Sequence, residues 1–167
     1  MWKLLCPDRY VDSILEVEPG ELRASGIKGV ITDMDNTLVA WNQRTATSGL
    51  HRWMENLKEN GFNVCIVSNN SAEQGSELAR QLDVPAIWYA VKPRRKAFRK
   101  ALRILDLPPS QVAVVGDQLF TDVLGGNRLG LYTILVVPIS QKEFIWTKMM
   151  RGFEKRMLHS LQKRGHL

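Results

Sequence analysis

The chain has 167 residues and a formal net charge of +6, from 23 Lys+Arg against 17 Asp+Glu. Its 44% hydrophobic and 24% charged residues are a globular composition, which excludes a disordered tail or a fibre, and the length suits one compact domain. Two cysteines exclude a disulfide-dense secreted scaffold, and no apolar run approaches the roughly 20 residues that span a bilayer.

Residues 1–28 read as a preamble packed on the core. Leu4-Leu5-Cys6 superficially resembles a lipoprotein cleavage site. The apolar stretch before it falls short of the roughly 7–15 residues of a signal-peptide core, so neither signal peptide nor lipid anchor is expected. The expected compartment is the reducing cytoplasm. Pro7 followed by DRYVDSILEV predicts a short helix with Tyr10, Ile14 and Val17 on one side.

From residue 29 the pattern alternates. Apolar, β-branched runs at 29–32, 62–68, 86–91, 112–116 and 132–138 predict strands buried on both faces, as in a parallel sheet. Between them lie stretches of helical period. Residues 47–60 place Leu50, Trp53, Met54 and Leu57 on one face and stop at Gly61. Residues 71–82 start at a Ser71 cap and align Leu78 with Leu82. Residues 94–106 align Phe98, Leu102 and Leu105, and 119–129 end at Gly130. Cys65, inside FNVCIVS, reads as a buried thiol. The expected fold is α/β: a Rossmann-like three-layer sandwich around a central, mostly parallel five-stranded sheet over residues 29–139. Residues 140–167 read as a basic amphipathic C-terminal helix.

Ligands of such sheets bind at the carboxyl ends of the strands. Those ends carry Asp33 and Asp35, then Ser68 and Asn69, then Lys92, then Asp117 with Asp122 five residues on. Singly, each has an ordinary explanation in turn chemistry, helix capping or solvation. Together, in this order, they make a phosphoryl-transfer site. Asp33 and Asp117 are suited to share one Mg²⁺, a hard cation that prefers oxygen ligands. One carboxylate can attack phosphorus, and Asp35 can serve as general acid and then base. Ser68 and Lys92 would hold the phosphoryl oxygens.

DMDNTLV, VSNN, the VKP lysine and GDQLFTDV resemble, in order, the four motifs of the haloacid dehalogenase-like (HAD) hydrolases, over about residues 27–138. The resemblance implies Asp33 as nucleophile and Asp35 as general acid/base. It implies Mg²⁺ on Asp33, the Asp35 carbonyl and Asp117, with Asp122 supporting the metal, and phosphate on Ser68, Asn69 and Lys92. The acid at position 35 favours a phosphatase. The gaps from Asp33 to Ser68 and from Ser68 to Lys92 are too short for a cap domain, so a capless site is expected. GIKGVITDMDNTLVAWN, the P-D-R-Y-V-x-S-I preamble and AVKPRRKAFRKAL are similar to the YqeG-like branch, which includes phosphatidylglycerophosphate phosphatases. That likeness implies an anionic phospholipid substrate. A soluble sugar or nucleotide phosphate, or a non-catalytic RNA- or ribosome-associated role, are the alternatives.

The charge is concentrated. Residues 92–103 carry seven basic residues and no acidic one, and 142–167 carry a net +5, leaving −6 for the rest. Arg94 and Arg95 read as a patch that draws in an anionic substrate or the lipid surface bearing it. In the tail, Trp146, Met149, Met150, Phe153, Met157 and Leu161 recur at helical spacing among six cations. Two readings of residues 142–167 stand side by side: a helix packed on the sheet, and an interfacial helix giving peripheral membrane contact. No nucleic acid is expected as partner, and an oligomer is compatible with the sequence.

Overall fold

The protein, seen in a computed structural model, is described over residues 2–140. Six strands form one sheet: β1 (Arg9–Val11), β2 (Gly29–Thr32), β3 (Asn63–Val67), β4 (Ala86–Ile87), β5 (Val112–Gly116) and β6 (Tyr132–Val136). Their order is β1-β6-β5-β2-β3-β4 and every pairing is parallel. The strands are apolar at nearly every position because both faces are covered. Alternate residues go to opposite layers. Val64 and Ile66 join one apolar layer, and Cys65 and Val67 the other.

The first layer is covered by α1 (Pro19–Ala24), α2 (Ser48–Glu59) and α3 (Ala72–Leu82), through Leu22, Leu50, Trp53, Met54, Leu57, Leu78 and Leu82. The second is covered by α4 (Arg95–Leu105), through Ala97, Phe98, Ala101, Leu102 and Leu105. The helical faces expected from the sequence are the buried ones. Thr47 caps α2 by accepting from Leu50 N at 3.2 Å, and Ser71 holds the cap position of α3. The three-layer α/β sandwich is as expected, with one more strand. Among the described residues no domain is inserted between the strands, so the sheet is capless.

Three local expectations are corrected. Residues 9–11 do not begin a helix; they form β1, paired with Ile134–Val136 of β6. Without it β6 would be an open edge. The Asp8 carboxylate fixes the pairing by accepting from Thr133 N at 2.7 Å, while Asp8 N donates to Thr133 O at 2.9 Å. Residues 88–91 leave the sheet after Ile87, because Tyr89 and Val91 take left-handed φ values of 51° and 52°. The expected helix over 119–129 is a π-helical turn, Leu119–Val123, followed by the short α5, Leu124–Asn127. The expected C-terminal helix lies outside the described residues.

The chain runs from β2 out to β3 and β4, then returns to β5 on the other side of β2. Loops leaving β2 and β5 therefore diverge. That crevice at the carboxyl ends is where such sheets hold ligands.

Candidate active site

Asp33 and Asp117 follow immediately on β2 and β5, so both sit in this crevice. Asp33 N continues the ladder by donating to Val115 O at 2.9 Å. The π-helical turn brings Asp122 back to them. Val123 N reaches Gln118 O at 3.3 Å, an i−5 bond, and the widened turn faces Asp122 towards the strand end. Gly116 is what lets it arrive. A Cβ there would lie 2.3 Å from Asp122 Cγ. Asp33, Asp117 and Asp122 are all buried, and each offers a carboxylate oxygen within 4.8 Å of the other two.

Lys92 Nζ enters this cluster, donating to Asp33 Oδ1 and to Asp122 Oδ1 at 2.6 Å each. Burial pulls against its charge, but the two carboxylates outweigh burial and hold the ammonium above its ordinary pKa. Three carboxylates and one ammonium carry a formal −2. A divalent hard cation would balance that charge, and the all-oxygen donor set is the kind it prefers. The residues fit a Mg²⁺ ion.

Asp35 stands beside the cluster, half-buried. Burial, followed by the charge of Asp33, pushes its pKa up to about 6. The Asn70 amide donates to its Oδ2. Ser68 is buried at the end of β3, where its Oγ accepts from Asn70 N at 3.1 Å. Asn69, expected on phosphate, has its side-chain oxygen on Lys92 N at 2.8 Å. It holds the lysine's backbone in place. Ala90 N donates to Ser68 O at 3.0 Å, so the segment leaving β4 is pinned where Lys92 turns inward. Arg94 and Arg95, at the start of α4, are exposed and form no ion pair among the described residues.

The structure thus gathers Asp33, Asp35, Ser68, Lys92, Asp117 and Asp122, keeps Asn69 in support, and leaves Arg94 and Arg95 on the rim. Sequence reasoning missed Asn70, Gly116 and Asn36. Asn36 takes φ 58°, and its side-chain oxygen accepts from Trp41 N at 3.3 Å and Ser140 N at 3.2 Å. An asparagine inside a D-x-D-N turn is a left-handed signal. Asn70 and Gly116 carried no such cue, since their partners are 35 and six residues away.

Comparison with known proteins places the chain in a family. Residues 30–91 match the family model of haloacid dehalogenase-like hydrolases, and residues 89–137 match a second, HAD-hydrolase-like model. Over 165 residues the chain is 44% identical to "Probable phosphatase YqeG" of Bacillus subtilis, covering 99% of this chain and 96% of that one. The chain belongs to the HAD-like hydrolase family. This HAD hydrolase is also 28% identical over 168 residues to phosphatidylglycerophosphate phosphatase 1, chloroplastic/mitochondrial, of Arabidopsis thaliana, covering 94% of this chain and 46% of the plant protein. It therefore spans about half of that relative's length. The HAD fold is seen again in an uncharacterized protein from Listeria monocytogenes serotype 4b, with a TM-score of 0.55 and 19% identity over 71% of this chain and 86% of that one.

Proposed function

We propose that this HAD phosphatase hydrolyses a phosphate monoester through an aspartyl-phosphate on Asp33, and that its substrate is phosphatidylglycerophosphate. The observation that carries the reading is the buried Asp33–Lys92–Asp122 arrangement with Asp117 beside it and Asp35 protonatable near neutral pH.

Asp33, Asp117 and Asp122, with the main-chain oxygen of Asp35, would hold the Mg²⁺. When bound, the ion neutralises charge between the carboxylates and the phosphoryl group. One carboxylate oxygen of Asp33 is held by Lys92, and the other forms the bond to phosphorus. The bond from phosphorus to the leaving oxygen breaks, and Asp35 donates its proton there. Asp35, now a carboxylate, takes a proton from water, whose oxygen attacks phosphorus and regenerates Asp33. An ammonium has three N–H donors. Lys92 spends two on Asp33 and Asp122, leaving one for a phosphoryl oxygen, with the Ser68 hydroxyl as a further donor.

Three observations favour a lipid substrate. Two curated relatives are named phosphatidylglycerophosphate phosphatases. The mouth is uncapped, and Trp41, Tyr89, Val91 and Ile139 are exposed on segments next to the site. Arg94, Arg95 and Lys96 supply exposed positive charge beside Lys92, with no ion pair among the described residues, which attracts an anionic surface. In this reading residues 142–167 add a peripheral membrane contact. No helix of the described residues is long and apolar enough to cross a membrane. A soluble sugar or nucleotide phosphate is the second reading, favoured by the same open mouth. A purely RNA-binding role would leave the buried charge cluster without a use.

The test is a turnover screen with Mg²⁺. Phosphatidylglycerophosphate in mixed vesicles is expected to be hydrolysed faster than a hexose phosphate or a nucleoside monophosphate. Faster turnover of a soluble ester would overturn the lipid assignment. Deleting residues 142–167 should reduce sedimentation with anionic vesicles, and unchanged sedimentation would remove the tail from the account.

A further inference from the structure

A separate cavity of about 200 Å³ opens beside the carboxylate cluster, walled by Asp35, Trp41, Gln43, Arg44, Asn70 and Gln74. It exists because the segment after β2 folds against the start of α3. Gln43 N donates to Ala40 O at 2.9 Å, and Asn42 is left-handed at φ 67°. Arg44 Nη1 donates to the main-chain oxygen of Glu73 at 2.9 Å, and Ala46 N donates to Gln81 Oε1 at 3.0 Å. The segment is therefore tied to α3 at two points, and its side chains form a built wall.

Position and chemistry each limit what this cavity takes. Asp35 lines it, so whatever is bonded to an oxygen protonated by Asp35 extends into it. The cavity opens to solvent and has room for a short polyol arm. The amides of Gln43, Asn70 and Gln74 carry both donors and acceptors, as hydroxyls require. Arg44 is the cation of the wall. A guanidinium has five N–H donors in a fixed fork. The bond to Glu73 occupies one of its nitrogens, and Arg44 forms no ion pair among the described residues. Its charge is close enough to oppose the upward push of burial on Asp35.

We propose that this cavity is the leaving-group subsite and that Arg44 recognises a second anion, carried a few bonds beyond the scissile phosphate on a short hydroxylated arm. The inference rests on the phosphatase reading and deepens it by stating what the leaving group must carry. A phosphodiester or a carboxylate meets the requirement, and both a lipid headgroup and a small soluble ester can supply it.

The experiment compares wild type with Arg44→Gln and Arg44→Lys on three substrates. Glycerol 3-phosphate has a neutral arm, 3-phosphoglycerate carries a carboxylate, and short-chain phosphatidylglycerophosphate carries a phosphodiester. Arg44→Gln is expected to raise KM for the two anion-bearing substrates about tenfold more than for glycerol 3-phosphate, the scale of one charged hydrogen bond. Arg44→Lys should recover part of that difference. Discrimination on the lipid alone assigns the anion to a headgroup, and discrimination on both assigns it to the shared chemistry. An equal change on all three overturns the proposal. A second readout needs no turnover. Titrating glycerophosphoglycerol while following the Trp41 indole N–H by NMR should give a saturable shift in wild type and about tenfold weaker binding in Arg44→Gln. No saturable shift in wild type, or equal binding in both, contradicts the subsite. Absence of turnover on every substrate would remove the phosphatase reading, while the titration still decides the subsite.

Discussion

Asp35 is two residues from Asp33, yet the two carboxyls differ in environment. Burial and the neighbouring charge of Asp33 bring Asp35 to about 6, so it can hold a proton for a leaving oxygen. The protonated fraction falls as pH rises through about 6. Turnover limited by leaving-group protonation should fall in the same window. An alkyl phosphate needs that proton and an aryl phosphate does not. Asp35→Asn is therefore expected to slow the leaving-group burst about 10²–10⁴-fold with an alkyl phosphate and far less with p-nitrophenyl phosphate, while hydrolysis of the aspartyl-phosphate slows alike for both. Equal losses of the burst rate on both, measured across pH 5 to 8, would contradict the general-acid role. At this scale Asp33, Ser68 and Asp117 were legible because each directly follows a strand, and Asp35, Lys92 and Asp122 because each lies within six residues of a strand end. Asn70 was not, since its partner Asp35 comes from another loop. Asn69 was legible as a site residue, but its bond to the Lys92 backbone required the fold to be known.

Among elements, the central strands and the faces of α2, α3 and α4 followed from apolar periodicity alone. The errors cluster where one long-range contact outweighs local pattern. Residues 9–11 have the spacing of a helix, and pairing with β6 decides otherwise. The stretch 119–129 has helical composition, but the charge cluster holds Asp122 and the first turn widens to a π-turn. Gly116 is the hinge of this arrangement. Gly116→Ala would place a Cβ 2.3 Å from Asp122 Cγ. Overpacking of that kind costs about 1–3 kcal/mol, and it should displace Asp122. The expected outcome is a lower unfolding midpoint together with a higher Mg²⁺ requirement for activity. An alanine variant with wild-type stability and metal response would show that the π-turn tolerates a shift.

For the molecule as a whole, the parallel sheet and the helical layer over it bury Cys65 on β3, and burial lifts the thiol from 9.0 to about 12. The unfolded chain releases this proton above pH 9, while the native state keeps it. Stability is therefore fully present below pH 9 and is lost as pH rises from 9 towards 12. Denaturant unfolding of wild type should weaken across that window more steeply than that of Cys65→Ala. Parallel pH profiles would contradict this. The fold class and the position of the site were legible at this scale because β2 and β5 end in carboxylates. Their adjacency was not, since it arises from the return of the chain across the sheet. The central claim is that Asp33 carries the phosphoryl group between leaving alcohol and water. Acid-quenching the enzyme during turnover with Mg²⁺ and mapping its peptides by mass spectrometry tests it directly. The account expects one phosphoryl group on the peptide containing Asp33, lost together with turnover in Asp33→Asn. Full turnover with no phosphorylated Asp33, or an Asp33→Asn variant as active as wild type, would contradict it.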